Sequence, residues 1–329
     1  QVTIDPRELV RLNERVGRVL FERLQRAEDA IPYFKAALDR DARHRGALEA
    51  LRDIFESLGR RDDLVIILRR LIPLQEEASG VKSIRIRLAE IIAGSARREE
   101  ALDAARRALE VEPHRQDDLD RLLQVFMQLK AWPDAVRSLE AKAQHFLLIE
   151  ERDNAAEVLF QVTDLWRNTA NKPDLAGPPL ERILEIEPSN RKAYELALDL
   201  YSKQGDWRAY AQVMDRFLPN LVTEEEKVAA LQQLAGVQES KLGQKDVAFL
   251  QYTRALHLNP SDDAVREQVE RLAEETGSFE ELAAVYEEVA DELPRGPLAE
   301  RMYLTLARVH DQKLDDADAA EGALRKVLA

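Results

Sequence analysis

The feature that most constrains how this chain can fold is a repeat of about 72 residues. A small residue followed eight positions later by Leu recurs five times. The pairs are Ala30/Leu38, Ala101/Leu109, Ala176/Leu184, Ala248/Leu256 and Ala320/Leu328. Successive pairs are 71, 75, 72 and 72 residues apart. Two other series of apolar positions also have one longer spacing at the same place, so one short insertion lies at residues 166–177. Because a fixed period marks one structural unit copied in tandem, we expect a repeat architecture.

Each period divides into two units of roughly 34 to 38 residues, which we interpret as helix, turn, helix. The opening helices carry apolar residues three and four positions apart, for example at Leu48, Leu51 and Phe55, and this spacing lines one face of an α-helix. Gly stands where a helix must stop, and Pro follows the second helix of a unit. These positions are Gly59, Gly205, Gly243, Gly277, Pro113, Pro188 and Pro260. The pattern predicts nine helical hairpins.

Aromatic residues recur at one turn position of the second unit type. Trp132, Trp207 and Phe279 each stand where a second helix is expected to begin. An aromatic side chain at such a place either packs under the neighbouring hairpin or forms an exposed anchor for a partner. We favour packing.

Composition and motifs exclude several kinds of chemistry. The chain has no Cys, so it has no thiol nucleophile and no Cys-type zinc site. Its five His lack metal-site spacing, and Gly-rich phosphate loops are absent. We therefore expect no catalytic residues, no cofactor and no metal. A net charge of −14 disfavours nucleic acid as a partner, and no apolar stretch is long enough for a membrane span. We expect the protein to be cytoplasmic, and a periplasmic location is the alternative.

The residues at the turns resemble tetratricopeptide repeats. The best match is the string AFLQYTRALHLNP at residues 248–260, and GDW at residues 205–207 is similar to the family's turn before a second helix. The resemblance covers residues 8–329 and implies an all-α fold, a right-handed α-solenoid of about nine stacked helix-turn-helix hairpins. The alternation of long and short units is also similar to long repeat arrays of gliding and predatory bacteria.

We expect one superhelical array over residues 1–329, because a lone hairpin buries too little apolar surface to fold by itself. The predicted units are 8–43, 44–80, 81–114, 115–147, 148–189, 190–221, 222–260, 261–295 and 296–329. No polar capping helix follows the apolar face that ends at Leu328. We therefore expect either that the natural chain continues past Ala329 or that this end docks on another chain.

Carboxylates mark the outer face of the opening helix in every second unit. They are Glu49, Asp53, Glu56, Asp117, Asp120, Glu195, Asp199, Glu267, Glu274 and Glu275. The resemblance implies that this side of the helices lines a concave groove. We interpret the ten residues as an acidic stripe for a basic or Arg-rich segment of a protein partner. The other interpretation is a solvated helix face. Residues 261–329 contain 8 basic and 18 acidic residues, which makes this part the most acidic.

The leading functional prediction is a non-enzymatic scaffold that binds a partner segment or domain in its concave groove, as part of a longer bacterial multi-protein assembly factor. One alternative is an architectural array that self-associates, as a dimer or end to end, through its C-terminal apolar face. Another is the substrate-recruiting part of an enzyme or sensor whose active domain lies outside this sequence.

Overall fold

The computed structural model describes residues 5–328, and over that range the chain forms eighteen α-helices and no β-strand. The all-α prediction is confirmed. The helices follow one another as nine consecutive pairs, and we call the odd-numbered members first helices and the even-numbered members second helices.

The chain divides into two compact units at Lys172 and Pro173. The described part of the first unit contains α1 Pro6–Arg18, α2 Ala27–Arg40, α3 Arg45–Ser57, α4 Arg61–Leu71, α5 Ala78–Ala93, α6 Arg98–Leu109, α7 Gln116–Gln128, α8 Trp132–Leu148 and α9 Arg152–Asp164. That of the second contains α10 Gly177–Ile186, α11 Arg191–Gln204, α12 Trp207–Phe217, α13 Glu224–Ser240, α14 Lys245–Leu258, α15 Asp263–Thr276, α16 Phe279–Glu292, α17 Pro297–Gln312 and α18 Ala317–Leu328.

The division between the units falls inside the predicted fifth repeat, at the predicted insertion. A π-helical turn, Leu165–Thr169, and a 3-10 turn, Pro173–Leu175, occur there. One continuous array over residues 1–329 stays a prediction. Its end residues, 1–4 and 329, lie outside the described range.

Neighbouring helices pack in the order in which they occur. Within a pair, α1 packs against α2 and α13 against α14, while between pairs α2 packs against α3 and α14 against α15. Within each unit, neighbouring hairpins therefore cover each other's apolar sides, so units too small to fold alone share a core.

Small and large apolar residues fill the contacts between helices. The first four Ala/Leu pairs of the repeat are buried, and Leu122 and Phe126 of α7 have no exposed surface. The fifth pair differs, because Ala320 is buried while Leu328 is 88% exposed. Ala lets helices approach closely and Leu fills the space between them, so this alternation gives dense packing.

The predicted turns are confirmed at residue level. Gly59, Gly205, Gly243 and Gly277 all have φ between 66° and 77°, a left-handed conformation that Gly adopts without the steric cost of a Cβ atom. Trp132, Trp207 and Phe279 are the first residues of α8, α12 and α16. The turn residues thus set the length of the helices on either side.

Candidate protein-interaction surface

The ten carboxylates of the acidic stripe all lie on first helices, and none of them is buried. Their positions are Glu49, Asp53 and Glu56 on α3, Asp117 and Asp120 on α7, Glu195 and Asp199 on α11, and Glu267, Glu274 and Glu275 on α15. The helices α3 and α7 belong to the first unit, and α11 and α15 belong to the second. The stripe therefore has two parts, one on each unit.

Eight of the ten carboxylates form ion pairs with Arg or Lys of the same chain. The pairs are Glu49–Arg45 (2.7 Å), Asp53–Arg52 (2.8 Å), Glu56–Arg87 (2.6 Å), Asp120–Lys142 (2.6 Å), Glu195–Arg191 (3.1 Å), Asp199–Lys203 (2.7 Å), Glu274–Lys313 (2.7 Å) and Glu275–Lys245 (2.7 Å). The sequence pattern identified the carboxylates but not these cations. Much of the stripe is thus neutralised within the chain.

Two members of the stripe differ from the other eight because they form no ion pair in the described chain, and one lies on each unit. Asp117 lies in the first turn of α7, and Glu267 lies in the first half of α15. Both are exposed, and neither has an ion-pair partner within residues 5–328. They are the stripe positions at which a charge can be changed without breaking an ion pair inside the described chain.

Three successive first helices of the first unit are joined by charged hydrogen bonds. Arg87 of α5 donates to Glu56 of α3 (2.7 Å) and to Glu90 on its own helix (3.2 Å). Arg121 of α7 donates to both oxygens of Glu90, at 2.6 and 3.0 Å. Burial raises the pKa of Glu90, but the hydrogen bonds from Arg121 and Arg87 outweigh it and keep that pKa below its ordinary value. This ladder was not predicted, and it fixes the position of the Glu56 carboxylate.

A groove of about 300 Å³ opens beside this ladder. Charged side chains and apolar side chains both line it: Glu56, Arg87, Glu90, Phe55, Leu64 and Ile91. Such a mixture suits a side chain with an apolar stem and a charged end, because the stem can lie on the apolar wall while the end reaches a carboxylate.

A similar network occurs in the second unit. Arg271 of α15 donates to both oxygens of Glu239 on α13, each at 2.8 Å, and to Glu275 on its own helix, also at 2.8 Å. Lys245 reaches the same Glu275 carboxylate at 2.7 Å. The hydrogen bonds from Lys245 and Arg271 hold the pKa of Glu275 below its ordinary value. Glu275 therefore forms ion pairs with two cations, Lys245 and Arg271.

A buried cation lies below the surface of the first unit. The Lys82 side chain is 2% exposed, and its Nζ donates to the backbone oxygens of Val111 (3.0 Å) and Pro113 (3.2 Å) and to His114 Nδ1 (3.0 Å). Burial lowers the pKa of Lys82. Burial, and then the nearby Lys82 charge, also lower the pKa of His114. These contacts anchor the turn after α6.

Two of the turn aromatics lie against the hairpin that follows them. Lys241 Nζ is 5.2 Å from the centre of the Trp207 ring, and Lys313 Nζ is 5.0 Å from the centre of the Phe279 ring. Both lysines follow the first helix of the next hairpin, and both rings are half-buried. The contacts agree with the expected packing, and each adds a cation–π interaction.

Two findings concern other classes of site. None of the helices that residues 5–328 form is long and apolar enough to cross a membrane. In the same range, no three His, Asp or Glu side chains are grouped so that they could hold a metal ion.

No family model matches the chain, and no curated protein matches it. Solved structures do match. The tetratricopeptide repeat domain of P58(IPK) is 17% identical, with 97% of each chain covered and a TM-score of 0.29. A tetratricopeptide repeat protein from Parabacteroides merdae is 15% identical over 81% of this chain and 98% of that one, with a TM-score of 0.34. The C-terminal part of a repeat protein from Cytophaga hutchinsonii is 12% identical over 78% and 99%, with a TM-score of 0.31.

At TM-scores of this size, the fold assignment rests on the helices and turns of the chain itself. The described residues form paired helices, with left-handed Gly at four turns and an aromatic residue at the start of three second helices. In each of its two units the chain forms paired α-helices that are similar to tetratricopeptide repeats. The similarity to arrays of gliding and predatory bacteria stays a prediction.

Proposed function

We propose that this chain is a non-enzymatic scaffold whose acidic stripe binds a basic or Arg-rich segment of a protein partner, in a groove lined by the first helices. The supporting observation is a surplus of carboxylates. Residues 261–329 contain 18 acidic and 8 basic residues, so pairing within this segment cannot neutralise all of its carboxylates. A negative field of this kind attracts cationic segments and speeds their association.

The ion pairs within the stripe are compatible with binding. Exposed pairs of this type contribute only about 0–1 kcal/mol, so a guanidinium of a partner can replace an exposed Lys or Arg at small cost. Arg suits the task because its planar fork donates two hydrogen bonds to one carboxylate. The groove beside Glu56 and Glu90 offers such carboxylates next to an apolar wall. In this proposal the chain is part of a longer bacterial assembly factor that works in the cytoplasm.

The test uses the two stripe residues that have no ion-pair partner in residues 5–328. A short fluorescein-labelled peptide of alternating Arg and Leu is titrated with the protein, and fluorescence anisotropy gives Kd. Asp117→Lys and Glu267→Lys are each expected to weaken binding about five- to tenfold, because an attractive charge becomes a repulsive one.

The matched controls are Glu28→Lys for the first unit and Asp246→Lys for the second. Both residues are exposed and lie on second helices, so each control changes the net charge by the same amount. We expect less than about a twofold effect from them, because net charge alone acts weakly at physiological salt. Equal losses in stripe and control variants would show that the peptide responds to overall charge, and the proposal would fail.

One observation favours the second candidate function, self-association. Leu324 and Leu328 of α18 are 46% and 88% exposed, and exposed apolar side chains that lie together mark interaction surfaces. If this face joins two copies, sedimentation velocity shows a mass that rises with concentration. The double variant Leu324→Asp, Leu328→Asp then stays monomeric, whereas a wild-type protein that is monomeric at every concentration removes this candidate.

A further inference from the structure

A cavity of about 400 Å³ lies where α1 meets the turn between α2 and α3. Arg7, Val10 and Arg11 of α1 line one side of it, and Arg40, Asp41 and His44 line the other. Val10 is 7% exposed and forms an apolar floor. The three arginines are exposed. This basic pocket contrasts with the chain as a whole, which carries a net charge of −14.

The three guanidinium groups of the pocket have no carboxylate partner in the described part of the chain. Arg7 and Arg11 are one helical turn apart and so share a face of α1. Arg40 Nη1 donates only to the backbone oxygen of Ala36, at 3.2 Å. By contrast Arg18, on the same helix α1, pairs with Glu14 at 3.0 Å. No ion pair within residues 5–328 therefore neutralises these three guanidinium groups.

The other polar groups that face the pocket are already engaged. Asp41 accepts a hydrogen bond from the backbone N–H of Arg43 (3.0 Å). The Nδ1 atom of His44 accepts from the backbone N–H of Ala47 (3.1 Å), and its Nε2 is 3.5 Å from Glu14. Asp41 is thus the one carboxylate that lines the pocket, and it faces three arginines.

A fourth cation reaches the same turn from α4. Arg70 Nη2 donates to the backbone oxygen of Ala42 at 2.8 Å. Arg forks match the geometry of carboxylate and phosphate oxygens, and several of them around one cavity bind such groups more tightly than any one alone. The geometry points to an oxyanion site that takes a carboxylate or phosphoryl group carried by an acidic segment of a protein partner. This site is separate from the acidic stripe and has the opposite charge preference.

The experiment compares two triple variants that lose the same charge. Arg7→Gln, Arg11→Gln, Arg40→Gln removes the pocket arginines. Arg23→Gln, Arg115→Gln, Arg152→Gln is the control, because these three are also exposed and unpaired within the described residues of the first unit. Circular dichroism confirms that both variants are folded.

The probes are a labelled peptide of alternating Glu and Leu, the same peptide with one phosphoserine in place of a Glu, and inorganic phosphate as a competitor. We expect the pocket variant to weaken binding of the preferred peptide at least about tenfold, since each charge-assisted hydrogen bond is worth several-fold in Kd. The control should weaken it less than threefold. The tighter of the two peptides shows whether the site prefers a carboxylate or a phosphoryl group.

Three results would overturn the inference: no binding of either peptide by the wild-type protein, equal losses in both triple variants, or inorganic phosphate that binds as tightly as the peptides. The last would leave an adventitious ion only. Asp117→Lys should not weaken the binding of these peptides, which separates a failure here from a failure of the acidic stripe.

Discussion

Lys82 shows how one residue departs from the repeat around it. Lys82 lies at a position of the repeat that Val10 and Val228 occupy in two other units. Both valines are buried. A buried ammonium group is costly unless hydrogen bonds replace its water. Lys82 meets that condition by donating to Val111 O and Pro113 O, as well as to a His ring.

Replacement of this lysine tests its role. Lys82→Met keeps the length of the side chain but leaves two turn carbonyls without their donor. We expect the free energy of unfolding to fall by roughly 1–3 kcal/mol, measured by urea denaturation. The control Lys35→Met, at an exposed position of α2, should change it by less than about 0.5 kcal/mol. If both variants are equally stable, Lys82 does not anchor the turn.

His114 gives the first unit a dependence on pH. Its pKa in the folded state is below the ordinary value of 6.5, so between those two pKa values the unfolded chain binds more protons than the folded chain. Stability therefore decreases as the pH falls through about 6.5 and continues to decrease until the folded His114 is protonated. The measurement is the free energy of unfolding between pH 5 and pH 8. His114→Asn should flatten this decrease, and an unchanged slope would contradict the assignment.

Local residue roles could be predicted, whereas long-range ones could not. The turn glycines and the aromatic first residues follow from backbone sterics and helix boundaries, which the neighbouring sequence determines. The partners of Lys82 lie 29 to 32 residues away. Only the packing of α5 against the turn after α6 brings them together, and no local pattern carries that information.

At the scale of helices, periodicity predicted the elements but not the bonds between them. Apolar spacing indicated α7 because its buried residues recur every three or four positions. The ladder of Arg87, Glu90 and Arg121 was not foreseen. With 110 charged residues in the chain, many pairings are sterically possible, and long side chains select among them only after the helices have packed.

The core of α7 gives a prediction at this scale. Leu122 and Phe126 have no exposed surface, so replacing either with Ala leaves a cavity between hairpins. Each change should lower the free energy of unfolding by about 2–5 kcal/mol, as measured by chemical denaturation. Leu148→Ala at the end of α8, where the side chain is 74% exposed, is the control and should cost much less. Similar costs for all three would mean that burial does not determine stability here.

At the scale of the whole molecule, charge distinguishes the surfaces. The acidic stripe follows first helices of both units, and the basic pocket lies at α1 and the turn before α3. The sequence predicted the stripe because its carboxylates recur with the repeat. It did not reveal the pocket, because Arg7, Arg11 and Arg40 come together only when the turn after α2 packs beside α1. In the proposed function and the further inference, these two surfaces bind partner segments of opposite charge.

The decisive measurement is an affinity pull-down from the source organism, with mass spectrometry, using the wild-type protein, Asp117→Lys with Glu267→Lys, and Glu28→Lys with Asp246→Lys. We predict one near-stoichiometric foreign protein that is captured at low salt and lost at about 0.5 M salt, where exposed charge pairs are screened. The stripe variant should lose this partner and the control variant should keep it. A partner that withstands both the salt and the stripe substitutions, or recovery of the parent chain alone, would contradict binding through the acidic stripe.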